Sequence, residues 1–161
     1  MPYANSLTSQ YNPKHAQTFD HRDERSPGSS VPGRVVLLVQ SDPDNLAMYA
    51  DFLELHGHLC VRASSTADAF IVAPIADVIV TGIQVPGQSD GTAVIGDGID
   101  FIRRLKVDSR TMRVPAIVLT TNSSTTERAR AEQAGCSSFL TKPCLPEYLL
   151  SEVRRVATGV E

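Results

Sequence analysis

Cysteine is scarce in this chain. Cys60, Cys136 and Cys144 are odd in number, widely spaced and form no CxxC pair. That argues against a disulfide framework and fits reduced thiols with structural roles. No apolar run approaches the roughly 18 residues that cross a bilayer. The N-terminus also lacks the apolar core of a signal peptide. Both absences predict a cytoplasmic chain without membrane contact. Basic residues are not in excess: 15 Lys and Arg stand against 18 Asp and Glu, for a net charge of −3. With no basic stripe, no binding of nucleic acid is expected.

The 161 residues suffice for one domain that buries a core without disulfides or metals. Residues 1–33 differ from the rest. They carry Pro2, Pro13, Pro27, Pro32, Gly28 and Gly33, and their few apolar residues follow no period. They read as a disordered N-terminal tail. His15 and His21 fall there without partners at metal-ligand spacing. The folded domain is expected over 34–157, with 158–161 as a C-terminal end.

From Arg34 onward, strand-like and helix-like segments alternate. Val35 to Val39 is a continuous apolar run, the pattern of a strand covered on both faces. Asp42 and Pro43 then signal a helix start, as N-cap and first-turn proline, and Gly57 ends that helix. A strand is expected over 59–63, and a short helix from Ser65 or Thr66 to Ala73, stopped by Pro74. Strands follow at 78–81, 116–119 and 138–141, and helices from Gly98, over 125–134 and over 146–156. Five βα units predict a parallel sheet with helices on both faces, an α/β three-layer sandwich of flavodoxin-like order 2-1-3-4-5. The functional crevice then lies at the strand ends Gln40, Gly82, Thr120 and Lys142.

Several segments carry a resemblance in this order and spacing. They are Val35-Val36-Leu37-Leu38-Val39 with Asp42-Pro43-Asp44, Ile83-Gln84-Val85-Pro86-Gly87, Val114-Pro115-Ala116-Ile117-Val118-Leu119-Thr120-Thr121, and Ser138-Phe139-Leu140-Thr141-Lys142-Pro143. Over about 120 residues, from Arg34 to Val156, the chain resembles the response-regulator receiver domains of two-component signalling, the CheY-like superfamily. That resemblance implies an acidic pair after the first strand that holds magnesium. It further implies a phosphoacceptor aspartate after the third strand, a Thr or Ser after the fourth, and a lysine after the fifth. Phosphoryl transfer needs such a set because it depends on positioning and on neutralising spread negative charge.

Thr120 and Lys142 occupy two of these positions. Gln40 and Ser41 stand where the acidic pair belongs, and Gly82 where the acceptor belongs. Asp42 matches the third position of the acidic run and reads as an N-cap. Lys142-Pro143 is expected to carry a cis bond, as the family commonly does. Phe139 falls on the aromatic switch position. Neutral oxygens are poor ligands for magnesium, so its binding is expected to be lost or very weak. Asp77 opens the third strand, some 15 Å from Gly82 at about 3.3 Å per residue, and reads as structural. Residues 88–96 are an insertion relative to the family and are expected to form a surface loop. Its Asp90, and Asp97 just beyond it, are the carboxylates that could swing into the pocket.

The implied function is that of a stand-alone pseudo-receiver. It would take part in phosphorelay-type signalling by protein–protein interaction, without aspartate phosphorylation and without enzymatic activity. The family's usual contact surface is the face of the fourth helix, fifth strand and fifth helix, and a homodimer is one form such contact takes. Here Arg128, Arg130, Glu147, Tyr148, Glu152, Arg154 and Arg155 fall on that face. Two alternatives stand beside this reading. One is a small-anion site built from Lys142, Thr120 and the amides around Gly82, where glycine allows close backbone approach. The other is phosphoacceptance through Ser41, Thr81 or Asp97.

Overall fold

The computed structural model describes residues 33–87, 95–122 and 124–159. The expected tail, apart from Gly33, lies outside the described residues, as do residues 88–94 of the insertion, with Asp90 among them.

The run Val35–Val39 forms β1, an interior strand of a five-stranded sheet. It pairs in parallel with β2 (Leu59–Ala63) on one side and β3 (Val78–Thr81) on the other. Two more elements, β4 (Gln84–Pro86) and β5 (Ile95–Asp97), form a separate antiparallel ribbon. The main sheet continues through β6 (Ala116–Thr120) and β7 (Ser138–Thr141), in the order β2-β1-β3-β6-β7. This is the flavodoxin-like α/β fold. Asp77 joins the sheet at its other end, where its Oδ2 accepts from the Val35 amide at 2.8 Å.

Alternation along β1 explains why the run reads as unbroken apolar sequence. Val36 and Leu38 face one layer with Val78, Val80, Ile117 and Leu119. Against them pack Tyr49 and Leu53 of α1 (Pro43–Leu55) and Leu149 and Val153 of α5 (Pro146–Ala157). Leu37, Val39 and Ile79 face the opposite layer. There they meet Ala69 of α2 (Thr66–Val72) and Phe101 and Leu105 of α3 (Gly98–Val107). Both faces are therefore dry, and no strand of this kind has a polar side to alternate with. Ala131 and Ala134 of α4 (Thr125–Ala134) close the second layer over Val118.

Local signals set the helix ends. Asp42, Ser65, Asp97 and Ser124 each accept a backbone N–H in the first turn of α1, α2, α3 and α4. Gly135 ends α4 at φ +103, in the left-handed region. Beside one-residue shifts at the ends of β6 and α5, two places differ from the sequence reading. α2 stops at Val72, and Pro74 is absorbed into a 3-10 turn over Ala73–Ile75, where a proline in the first turn loses no helical bond. Residues 95–96 of the insertion are strand, because β5 returns alongside β4. Among the described residues no helix is long and apolar enough to cross a membrane.

Candidate functional site

A cleft of about 500 Å³ opens at the carboxyl ends of β1, β3 and β6. Gln40, Ser41, Asp42, Gly82, Thr120 and Lys142 all line it. The topology brings them together because parallel strands end on the same edge of the sheet.

Gln40 follows β1 and is buried, only 3% exposed. Its Oε1 accepts from Lys142 Nζ at 2.8 Å. An ammonium carries only donors, so this bond decides which end of the amide faces the lysine. The Nε2 end is buried and has no hydrogen-bond partner among the described residues. Burial pushes the pKa of Lys142 down, while Asp42 pulls it the other way. The sequence offered a small anion as a partner for this lysine. Its acceptor is instead the residue that replaces an acidic one. The Lys142–Pro143 peptide bond is cis.

Gly82 caps the buried end of β3 and donates its N–H to Val39 O at 2.9 Å. Its φ is not in the left-handed region. A Cβ here would meet Gln40 Nε2 and Val85 Cγ2 at 3.5 Å and Leu119 O at 3.7 Å, all ordinary contacts. Among the described residues no close approach of backbone requires glycine at this position. The close approach lies one step away. A Cβ on Gly98 would overlap the Gly82 carbonyl, and the Gly98 amide donates to Ile83 O at 2.6 Å.

The remaining predicted residues divide by position. Asp42 is committed to α1, with Oδ1 accepting from Asp44 N at 2.9 Å and Oδ2 from Asn45 Nδ2 at 3.1 Å. Ser41 is exposed. Thr120 is buried, and its Oγ1 accepts from Asn122 N at 3.0 Å. Thr81 is fully buried and donates its hydroxyl to Gly82 O at 2.9 Å. Phe139 does not line the cleft. It packs with Ile83, Ile99 and Val118, and the Arg128 guanidinium lies 4.7 Å from its ring centroid.

Arg130 and Glu127 also line the cleft. Arg130 bonds Asp97 at 2.6 Å and Glu127 at 2.9 Å. Sequence reasoning placed Arg130 on an outward contact face, because an arginine on a short helix carries no signal of the side it turns to. Asp97 does border the cleft, but it holds the first turn of α3 through Ile99 N at 2.8 Å as well as Arg130. Among the described residues no group of three His, Cys, Asp or Glu side chains is placed to hold a metal.

Comparison with known proteins agrees with this architecture. The family model described as the response regulator receiver domain matches residues 36–154. The phosphate regulon transcriptional regulatory protein PhoB of Pseudomonas aeruginosa is 31% identical over 126 residues, which are 77% of this chain and 52% of that protein. The chain thus spans about half the length of the PhoB proteins it matches. Protein PilH of the same organism is 29% identical over 126 residues, 98% of its length. Among solved structures, the chemotaxis response regulator CheY4 of Vibrio cholerae superposes with a TM-score of 0.67 at 25% identity, covering 77% of this chain and 98% of that one. The receiver domain of the sensor histidine kinase PA1611 from Pseudomonas aeruginosa, solved with magnesium in its active-site cleft, gives the same TM-score and identity, covering 78% of this chain and 98% of that one.

Proposed function

The chain belongs to the response regulator receiver domain family, and from that premise we propose that it signals through protein contacts without accepting a phosphoryl group on aspartate. One observation carries the proposal. Gly82, at the end of β3, presents no side chain to the cleft where the resemblance puts the acceptor.

The surrounding chemistry supports the same reading. The lysine that would neutralise a phosphoryl group is bonded to the neutral amide of Gln40. Magnesium prefers carboxylate and water oxygens in near-ideal octahedral geometry. Here Gln40 offers an oxygen already taken by an ammonium, Ser41 a neutral hydroxyl, and Asp42 two oxygens engaged at the helix cap. This donor set does not fit the ion. As a partner surface we propose the face of α4, β7 and α5. It exposes Leu145 and Tyr148 at the start of α5, beside the charged pair Glu152–Arg155.

A second reading is compatible with the first. The cleft takes a small anion through Lys142 and Thr120, and the unpartnered Gln40 Nε2 favours it. Phosphoacceptance by a hydroxyl or by Asp97 has less support. Thr81 is fully buried and already donating, and Asp97 is held by Arg130.

Intact mass after incubation with acetyl phosphate and magnesium tests the proposal. The expected result is no gain of a phosphoryl group, in the natural chain and in Gly82→Asp alike. Stoichiometric labelling of either chain overturns the account of the pocket. Addition of Gln40→Asp and Ser41→Asp to Gly82→Asp is expected to bring labelling back.

A further inference from the structure

We propose that the floor of the cleft binds a carboxylate supplied in trans, held beside Gly82 by the side-chain amide of Gln40 and the ammonium of Lys142. The inference rests on the reading of Gly82 as a position without an acceptor carboxylate.

An orphaned donor carries it. Buried polar groups are almost always paired, yet Gln40 Nε2 has no acceptor among the described residues. Its direction is fixed. Turning the amide over would set its NH2 against the Lys142 ammonium, donor against donor. Nε2 therefore points toward Gly82, 3.5 Å from where a Cβ would stand. Only ordinary contacts surround a carbon at that point, and Gly82 and Gln40 both line the open cleft.

Other donors line the same cleft. Lys142 makes one hydrogen bond among the described residues, and an ammonium can make three. Thr120 Oγ1 accepts from Asn122 N and keeps its own proton to donate. The charge balance selects the ligand class. Arg130 is already committed to Asp97 and Glu127, and Asp42 adds a further negative charge at the rim. Among the described residues that line the cleft, the two cations Arg130 and Lys142 thus stand against three carboxylates, Asp42, Asp97 and Glu127. Each added negative charge works against that balance, so a monoanionic carboxylate suits the site better than a dianionic tetrahedral ion.

The test follows the Gln40 side-chain amide of the 15N-labelled chain by NMR at pH 7 and constant ionic strength. Acetate is expected to shift this signal saturably, with a midpoint in the ~millimolar range. Sulfate is expected to give no saturable shift. Lys142→Met is expected to weaken the acetate response tenfold or more. Gly82→Asp, which brings a carboxylate on the chain itself, is expected to abolish it, and the backbone amide spectrum reports that each variant is folded. A capped aspartate that binds at least as tightly as acetate identifies a protein side chain as the source; preference for acetate identifies a small molecule.

A missing acetate response overturns the proposal. So does an equal response to sulfate, or a full response in Gly82→Asp. The phosphorylation assay is separate. Absence of both acetate binding and phosphoryl gain overturns this inference and leaves the reading of Gly82 standing.

Discussion

Lys142 Nζ lies 2.8 Å from Gln40 Oε1, a hydrogen bond between side chains 102 residues apart. Its two ends are unequally exposed: Gln40 is 3% exposed, while Lys142 is half-buried at the cleft. Loss of either partner should therefore cost different amounts. Lys142→Met leaves the buried amide with neither end satisfied and is expected to lower stability by about 1–3 kcal/mol. Gln40→Leu removes the buried polar group and lets the ammonium turn to water, for a loss under about 1 kcal/mol. Urea unfolding at pH 7 with unchanged m-values measures both. A larger loss in Gln40→Leu than in Lys142→Met contradicts this ordering.

Two glycines that touch in space should respond in opposite directions. Gly82→Ala meets only ordinary contacts at a φ open to any residue, so it is expected to gain about 0.4–1 kcal/mol by restricting the unfolded chain. Gly98→Ala drives a methyl into the Gly82 carbonyl and is expected to lose about 1–3 kcal/mol or more. Thermal or urea midpoints of the two variants give the comparison directly. A destabilised Gly82→Ala would mean that the pocket needs glycine for its backbone after all.

Acid should loosen the fold through His58. This side chain is buried, and its Nδ1 accepts from the Arg34 amide at 3.1 Å. Burial first, then the charges of Arg154, His56 and Arg34, hold its pKa below the ordinary value of 6.5. The unfolded chain thus takes up the proton more readily than the folded one. Stability from this group is fully present above about pH 6.5 and falls as pH drops through the lower folded value. The urea midpoint is expected to fall between pH 7 and pH 5, and His58→Gln to flatten that fall. An unchanged slope in the variant excludes His58 as its source.

The main sheet was legible in the sequence because each of its strands is short, apolar and bounded by a strong stop. Val35–Val39 and Ser138–Thr141 were read to the residue. Asp42 with Pro43 marked the start of α1 for the same reason: capping chemistry is local. The ribbon was not legible. Gln84–Pro86 and Ile95–Asp97 have three residues each, include a proline and a glycine, and alternate in no pattern. The cleft residues at strand ends were found from topology. The acceptor of Lys142 was not, since nothing local links positions 40 and 142. Arg128 and Arg130 looked like one charged surface, yet one covers Phe139 and the other turns into the cleft.

The Asp97–Arg130 pair joins residues 33 apart, at the end of β5 and on α4. Because Asp97 also holds the first turn of α3, three elements share one pin. Loss of either side chain at this pin would therefore free the ribbon, the start of α3 and α4 from one another together.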